Sequence, residues 1–344
     1  MKRDSPLLDW SLEETVRLLV IGAGKMGRAH IAAFTVTPGA EIVGVVSRSG
    51  ERARELAAEF KIPNWGQDWR SVAEKARPHA CVVAVSHLEN ESITSQVIEY
   101  GLHVLAEKPV ALHSSVVQAL AERAQVKKIL AMAAMNRRFY PSVFAAIDLI
   151  LFHGPILGVT AIAPDPVQPY RAQRLYPPEV YDHWMLMNTI HIVDLLRMVG
   201  GEVKSVIGDS NSIQSVGEQS TVAVLRFRAG ILGSFIAHSG SSGHWELRIH
   251  GDGIEAILGP LEQGTIRIGN AAPRPLPSAR EVNGLKPGLR QQSCAFVEAI
   301  RDLGYLPPPA SSLTDHARTL SLVESLQQIE CARSIPLSAD VTSI

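Results

Sequence analysis

VRLLVIGAGKMGRAH, residues 16–30, combines an apolar run, three glycines and the start of a helical pattern. Its apolar run, 18–21, is too short for a globular helix and rich in branched side chains, which suits a buried strand. Gly22, Gly24 and Gly27 then stand in a GxGxxG arrangement, and Met26, Ala29 and Ala33 recur at helical spacing. In a strand–turn–helix unit each glycine has a physical task. Gly22 permits a tight turn off the strand, Gly24 lets the backbone approach a pyrophosphate, and Gly27 lets the helix pack closely on the strand. The helix start offers free N–H groups and a partial positive charge to phosphates, with Lys25 and Met26 in the same loop. A glycine-rich turn alone is weak evidence. The strand before it and the helix after it supply the context that a dinucleotide site requires.

Outward from this stretch, residues 41–46, 80–85, 102–106 and 129–134 repeat the buried-strand pattern, with helical stretches at 51–60, 91–100 and 114–126. Such alternation implies a parallel sheet wound by right-handed crossovers, a dinucleotide-binding domain over 16–135. Residues 1–15 read as an N-terminal extension, basic then acidic, without the apolar core of a signal peptide. Beyond residue 135 the pattern changes. A helix at 142–151, a strand at 159–163, a proline-rich loop and a helix at 182–198 come first. Strand-like runs follow at 203–208, 220–228, 230–238, 245–250 and 255–258, and helices at 289–302 and 315–329 close the chain. Consecutive strands with short connections predict an open antiparallel or mixed sheet, with a hairpin at Ala229-Gly230. The fold class is α/β: an N-terminal Rossmann domain with a parallel sheet, then an α/β domain over 136–344 built on a large open sheet.

The 344 residues are 46% hydrophobic and 19% charged, with a net charge of −1. That length suits two domains, and the charge balance gives no bulk electrostatic case for nucleic acid or an anionic membrane as partner. Cys81, Cys294 and Cys331 are scattered without a CxxC pair, so neither a disulfide frame nor a metal site is indicated. No apolar run approaches the roughly 20 residues that span a bilayer, and a cytoplasmic location is expected. The runs at 231–237 place apolar residues on both faces of a strand, which predicts an association surface on the second sheet.

Three constellations carry chemistry. About twenty residues past the glycines, an NAD site places an acid against the ribose 2′-hydroxyl; this chain has Ser47 and Arg48 there. A hydroxyl and a guanidinium suit a 2′-phosphate, so NADP is expected in preference to NAD, unless Arg48 is simply solvated. At the end of the fourth strand stand Glu107, Lys108 and Pro109. Ligands bind beyond the carboxyl ends of such strands, so Lys108 is placed to hold a hydroxyl or stabilise a developing alkoxide. On the helix at 182–198, His191 shares a face with Asn188 and Asp194. An imidazole there could act as general acid–base or be a hydrogen-bonded structural group. Asp194 reads as a structural partner.

GAGKMGRAH at 22–30, GLHVLAEKPVAL at 101–112, NRRF at 136–139 and IHIVDLLRMVGG at 190–201 together resemble the Gfo/Idh/MocA (glucose–fructose oxidoreductase, inositol dehydrogenase, rhizopine catabolism) family. The resemblance implies a substrate site between a Rossmann domain and a mostly antiparallel sheet, with hydride transfer between NAD(P) and a hydroxyl or keto carbon of a sugar, cyclitol or related molecule. It places the family lysine and histidine on Lys108 and His191. It adds Glu107, Ser86 and Asn90 to the expected cofactor contacts, and Arg137 and Asn188 to the expected substrate contacts. It also implies dimers or tetramers packed through the second sheet. Two departures stand out. Met187 occupies the position four before the histidine where the family often has Asp, and Asn90 falls where a TPNxxH segment has His. Without that acid, His191 is expected to be less basic and to be oriented by Asn188 or Asp194. Some relatives bind the dinucleotide without catalysis and act as regulators, which is the alternative reading.

Overall fold

The computed structural model describes residues 15–213, 218–282 and 284–329. β1 (Val16–Ile21) is almost wholly buried, as its unbroken apolar run requires when both faces of a sheet are covered. From it the chain alternates through α1 (Lys25–Thr35), β2 (Ala40–Val46), α2 (Gly50–Phe60), β3 (Trp65–Gly66), α3 (Trp69–Ala76), β4 (Ala80–Val83), α4 (His87–Tyr100), β5 (His103–Ala106), α5 (Ser114–Val126) and β6 (Ala131–Ala133). These six strands are parallel and lie in the order β3-β2-β1-β4-β5-β6. The order reverses between β1 and β4, so a crevice opens past the carboxyl ends of those strands.

A 3-10 turn (Asn136–Phe139) leads to α6 (Pro141–His153), β7 (Ile156–Pro164), α7 (Val167–Ala172), α8 (Pro178–Asp182), a π-helical turn (Met185–Thr189) and α9 (Ile190–Gly200). Then come β8 (Val203–Ile213), β9 (Glu218–Phe227), β10 (Leu232–His238), β11 (Glu246–Gly251), β12 (Ile254–Leu258), β13 (Gly264–Ile268) and β14 (Arg274–Pro275). They form an eight-stranded sheet, β14-β13-β12-β11-β7-β10-β9-β8, antiparallel except where β7 meets β10. Alternation along each strand gives it two unlike faces. Val159, Ala161, Ala223, Leu225, Phe235 and Leu247 are buried under α6, α9 and the later helix at 313–327; Ile192, Val193, Leu195 and Leu196 of α9 have no exposed surface. The other face carries Ile207, Val222, Val224 and Leu232, all exposed. Register sets Ile207 beside Val224, and Val222 beside Ile236, which abuts Ile162.

The chain then returns to the first sheet. α10 (Leu289–Glu298), extended by a π-turn (Ala299–Leu303), packs on α1; β15 (Ser311–Ser312) pairs antiparallel with β6; and α11 (Leu313–Gln327) lies along α5.

The α/β class, the parallel first sheet and the mostly antiparallel second sheet are as the sequence predicts. The hairpin at Ala229-Gly230 joins β9 to β10. Several elements differ. The expected helix at 182–198 starts as a π-turn at Met185 and becomes regular only at Ile190. β3 and α3 fill a stretch the periodicity left open, although Asp68 marks the helix start by accepting from the Ser71 N–H. α7 and α8 interrupt the proline-rich loop, where prolines sit at the first turns that tolerate them. The expected N-terminal extension lies, except for Thr15, outside the described residues, as does Cys331.

Candidate active site

At Gly22, φ is +117°, and a Cβ there would lie 2.1 Å from the Ala84 carbonyl oxygen. At Gly27 it would lie 1.8 Å from the carbonyl oxygen of Gly22. Backbone against backbone thus demands both glycines. Gly24 is different. A Cβ there would meet no protein atom within 4 Å, and no side chain caps α1. Clear space over uncapped N–H groups is what a pyrophosphate requires, so the loop fits a dinucleotide.

Past β2, Arg48 projects into solvent with its side chain 84% exposed and pairs with Glu89 of α4 at 3.0 Å. Ser86, just before α4, donates its hydroxyl to the same carboxylate at 3.0 Å. Arg48 and Ser86 therefore converge on a carboxylate that the motif pattern did not single out. Ser47 follows the strand directly, its N–H donating to the Gly66 carbonyl. Asn90 turns inward instead. Its buried amide donates to the carbonyls of Glu107 and, at 3.0 Å, Pro109. This fixes the turn that carries Lys108, and the amide does not face the crevice as a cofactor contact should.

Glu107 is buried and bound at 2.7 Å to Nε2 of His30, which α1 supplies. Burial alone would raise its pKa; the His30 hydrogen bond and the Lys108 charge outweigh that and leave it lowered. Glu107 is thus a fixed carboxylate, and His30 is a partner that motif reading missed. Lys108 reaches across to the second domain and donates Nζ to the Met187 carbonyl. Burial, then the Arg137 and Lys286 charges, outweigh Glu107 and Asp165 and bring its pKa down to about 8.

His191 lines the same cleft and is buried. Burial first, then the charges of Lys108 and Arg137, pushes its pKa well below the ordinary imidazole value, so the ring is neutral at physiological pH. The lower basicity expected from Met187 is present, with a different cause. The expected orientation by Asn188 or Asp194 is not. His191 Nδ1 finds no hydrogen-bond partner among the described residues. Asn188 gives its amide to both carboxylate oxygens of Asp165 at 3.1 Å, and Thr189 adds a 2.8 Å hydroxyl bond. Asp194 is held by Arg138 at 2.5 and 2.6 Å and by Thr319 at 2.8 Å, a structural ion pair as the sequence suggested. Asn188 and Thr189 both lie in the π-turn, and both side chains engage Asp165 just past β7. Asp165, its own pKa raised by burial, brings a carboxylate near Lys108 from another element than the helix.

The cleft enclosed by these groups has a volume of about 520 Å³. Lys25, Met26, Glu107, Lys108, Arg137, Asn188 and His191 all line it, so half of the expected site residues come together there. Also on its wall, and not singled out from the sequence, are Tyr140, Tyr176, Trp184 and Lys286. Lys286 comes from the loop before α10 and stands 3.5 Å from the Met26 sulfur. Its LKP setting echoes the EKP of Lys108, but only the closed fold brings it to α1. Arg137 lies over the Trp245 ring, 4.2 Å from its centroid. A separate hollow, beneath α7 and α8, contains none of Lys108, His191 or the glycine loop.

Residues 16–135 match the oxidoreductase family with an NAD-binding Rossmann fold (GFO_IDH_MocA), and residues 152–255 match the GFO/IDH/MocA C-terminal domain. The chain is 24% identical over 254 residues to 4-carboxy-2-hydroxymuconate-6-semialdehyde dehydrogenase of a Sphingobium species, covering 68% of this chain and 79% of that protein. It is 28% identical over 207 residues to scyllo-inositol 2-dehydrogenase (NAD(+)) of Bacillus subtilis, covering 57% and 58%. It is 26% identical over 206 residues to levoglucosan dehydrogenase of Pseudarthrobacter phenanthrenivorans, covering 54% and 52%, so that match spans about half of each chain. A solved levoglucosan dehydrogenase structure, in complex with NADH and levoglucosan, superposes with a TM-score of 0.74 at 20% identity over 91% of this chain and 96% of that one. At that identity the likeness is one of fold.

Proposed function

The chain belongs to the Gfo/Idh/MocA oxidoreductase family, and from that premise we propose that it is an NADP-preferring dehydrogenase or reductase acting on a hydroxyl or keto carbon of a sugar-like substrate. The observation that carries the proposal is the meeting of Lys108 and His191 in one cleft beside an open, uncapped glycine loop. Bound on that loop, the nicotinamide supplies the hydride chemistry. The protein supplies the proton and the geometry. Lys108, with its pKa near 8, exists as both amine and ammonium under working conditions and exchanges the hydroxyl proton. His191, held neutral, polarises the substrate oxygen through a ring N–H. The Met187 carbonyl holds Lys108 in place between the two domains, and the Asp165 charge acts on it from beyond ion-pair range.

For the cofactor, the absence of an acid at Ser47 and the presence of Arg48 favour the 2′-phosphate of NADP. For the assembly, the apolar row on the outer face of the second sheet supports pairing of two copies, as a dimer or tetramer. A panel of sugars, cyclitols and their oxidised counterparts, followed by nicotinamide absorbance with either dinucleotide, tests the activity. Turnover that vanishes in Lys108→Met supports it; turnover unaffected by that substitution would refute the role given to Lys108.

A further inference from the structure

We propose that the substrate of this cleft carries a carboxylate and that Arg137 receives it; the inference rests on the dehydrogenase reading and narrows its substrate class. The charge inventory of the cleft is lopsided. Its wall holds four cations, Lys25, Lys108, Arg137 and Lys286, against one carboxylate, Glu107. Glu107 is already committed to His30 and to the Lys108 N–H. Nearby Asp165 is committed to Asn188 and Thr189. Among the described residues, Lys25, Arg137 and Lys286 have no carboxylate in ion-pair range. Like charges confined without counter-charge raise one another's electrostatic energy, and Arg137 accordingly lowers the pKa of Lys108, His191 and Lys286. The arrangement calls for an anion.

Two of these cations belong to the dinucleotide side. Lys25 opens α1, and Lys286 stands against Met26 in the same loop, so phosphates at that helix start answer both. Arg137 belongs to the other side. It rises from the 3-10 turn after β6, sits with its guanidinium carbon over the Trp245 ring beside β11, and acts on Lys108, His191, Asp165 and Tyr140. Stacking on an aromatic face immobilises the plane of a guanidinium and leaves its edge N–H groups to bind. That edge presents parallel donors that match a carboxylate bidentately. A neutral polyol would leave this cation with only the more distant Asp165 and no carboxylate in ion-pair range. Sugar acids and other hydroxy acids, with the reacting hydroxyl at Lys108 and His191 and the carboxylate at Arg137, complete the site.

Titration calorimetry on the NADP-saturated protein tests this with matched probes: D-gluconate and D-glucuronate against D-glucitol and D-glucose, with a hexose phosphate as a further arm. The expected result is binding of at least one acid roughly ten-fold tighter than its neutral partner, weakened by salt. Arg137→Met should lose about 10–100-fold on the acid, the range of a charge-assisted hydrogen bond, and change the neutral partner little. Arg137→Lys, which keeps the charge without the planar fork, should restore part of the loss. Thermal melting of each variant checks that the fold is intact. The proposal is overturned if no acid binds, if a neutral partner binds as tightly, if the hexose phosphate binds more tightly than the acids, or if Arg137→Met leaves acid affinity unchanged. Acid binding with no turnover of any probe would leave the carboxylate assignment standing and count against the dehydrogenase reading instead.

Discussion

His191 and Lys108 divide the chemistry by charge state. His191→Ala should lower turnover by about 10²–10⁴-fold, the range of a positioned acid–base or electrophilic group, with dinucleotide affinity nearly unchanged. Because burial and neighbouring cations hold His191 neutral, the pH profile near neutrality belongs to Lys108. Its ammonium predominates below about pH 8 and its amine above. Oxidation, which needs the amine, should therefore rise as pH increases through about 8, and reduction should fall over the same interval. Lys108→Arg should flatten both limbs, which rate profiles in the two directions would show. At the far end of the crevice, Arg48 is shared with Glu89. Arg48→Ala should weaken NADPH far more than NADH, while Glu89→Gln, by freeing the guanidinium, should tighten NADPH by up to about 5-fold, the worth of an exposed ion pair. Fluorescence titrations with both nucleotides decide this; equal changes for the two would remove the 2′-phosphate assignment. Lys108 and His191 were legible in the sequence because residue type and position in a motif both point to them. Lys286 and the influence of Asp165 on Lys108 were not, since each arises only when distant parts of the chain meet. Asn90 was legible as a position and misleading as a contact, because sequence does not say which way a side chain turns from a helix start.

At the scale of elements, the β1–α1 unit carries the binding and the π-turn before α9 carries the alignment. Gly24→Val should abolish binding of either dinucleotide while leaving the melting temperature close to that of the parent. A Cβ there meets no protein atom within 4 Å and points the added side chain into the ligand's space. The same change at Gly27 strikes the Gly22 carbonyl and should destabilise the domain itself. Asp165→Ala should do something else. It leaves the Asn188 amide and the Thr189 hydroxyl without their acceptor, at about 1–3 kcal/mol for buried polar groups, and loosens the turn that holds the Met187 carbonyl at Lys108. Stability and turnover should fall together, with dinucleotide affinity retained. Alternation of apolar strands with helices made the first sheet readable almost strand by strand. The π-turn was not readable, because helical spacing in Leu186, Ile190 and Val193 continues straight through it. Short strands such as β3 and β15 have too few residues for any period to register.

The whole molecule joins two sheets through α10, β15 and α11, so the site between them depends on the stability of the chain's return. On α11, His316 has no exposed surface and no hydrogen-bond partner among the described residues for either ring nitrogen. Burial, with the Arg138 and Arg197 charges, outweighs Asp194 and Asp315 and keeps its pKa at about 4. An unfolded imidazole titrates near 6.5, so between these values the unfolded chain holds the extra proton. Stability should thus fall as pH drops from about 6.5 to 4, by up to ~3 kcal/mol from this one group, and urea midpoints of His316→Leu should lose much of that slope. On the outer face of the second sheet, where we propose that two copies pair, light scattering should find an oligomer for the parent and a monomer for Val224→Lys. The two-sheet plan was legible from the change in pattern after residue 135; the meeting of residues from both halves was not, since no local signal encodes it. The central claim is that this meeting makes an enzyme. It is tested most directly by mixing NADP- or NADPH-saturated protein with the panel of sugars, cyclitols, sugar acids and their keto forms, and following nicotinamide absorbance in parent and Lys108→Met chains. The parent should turn over at least one member and the variant none, with dinucleotide still bound. A parent chain that binds the dinucleotide tightly yet exchanges hydride with no member would contradict it.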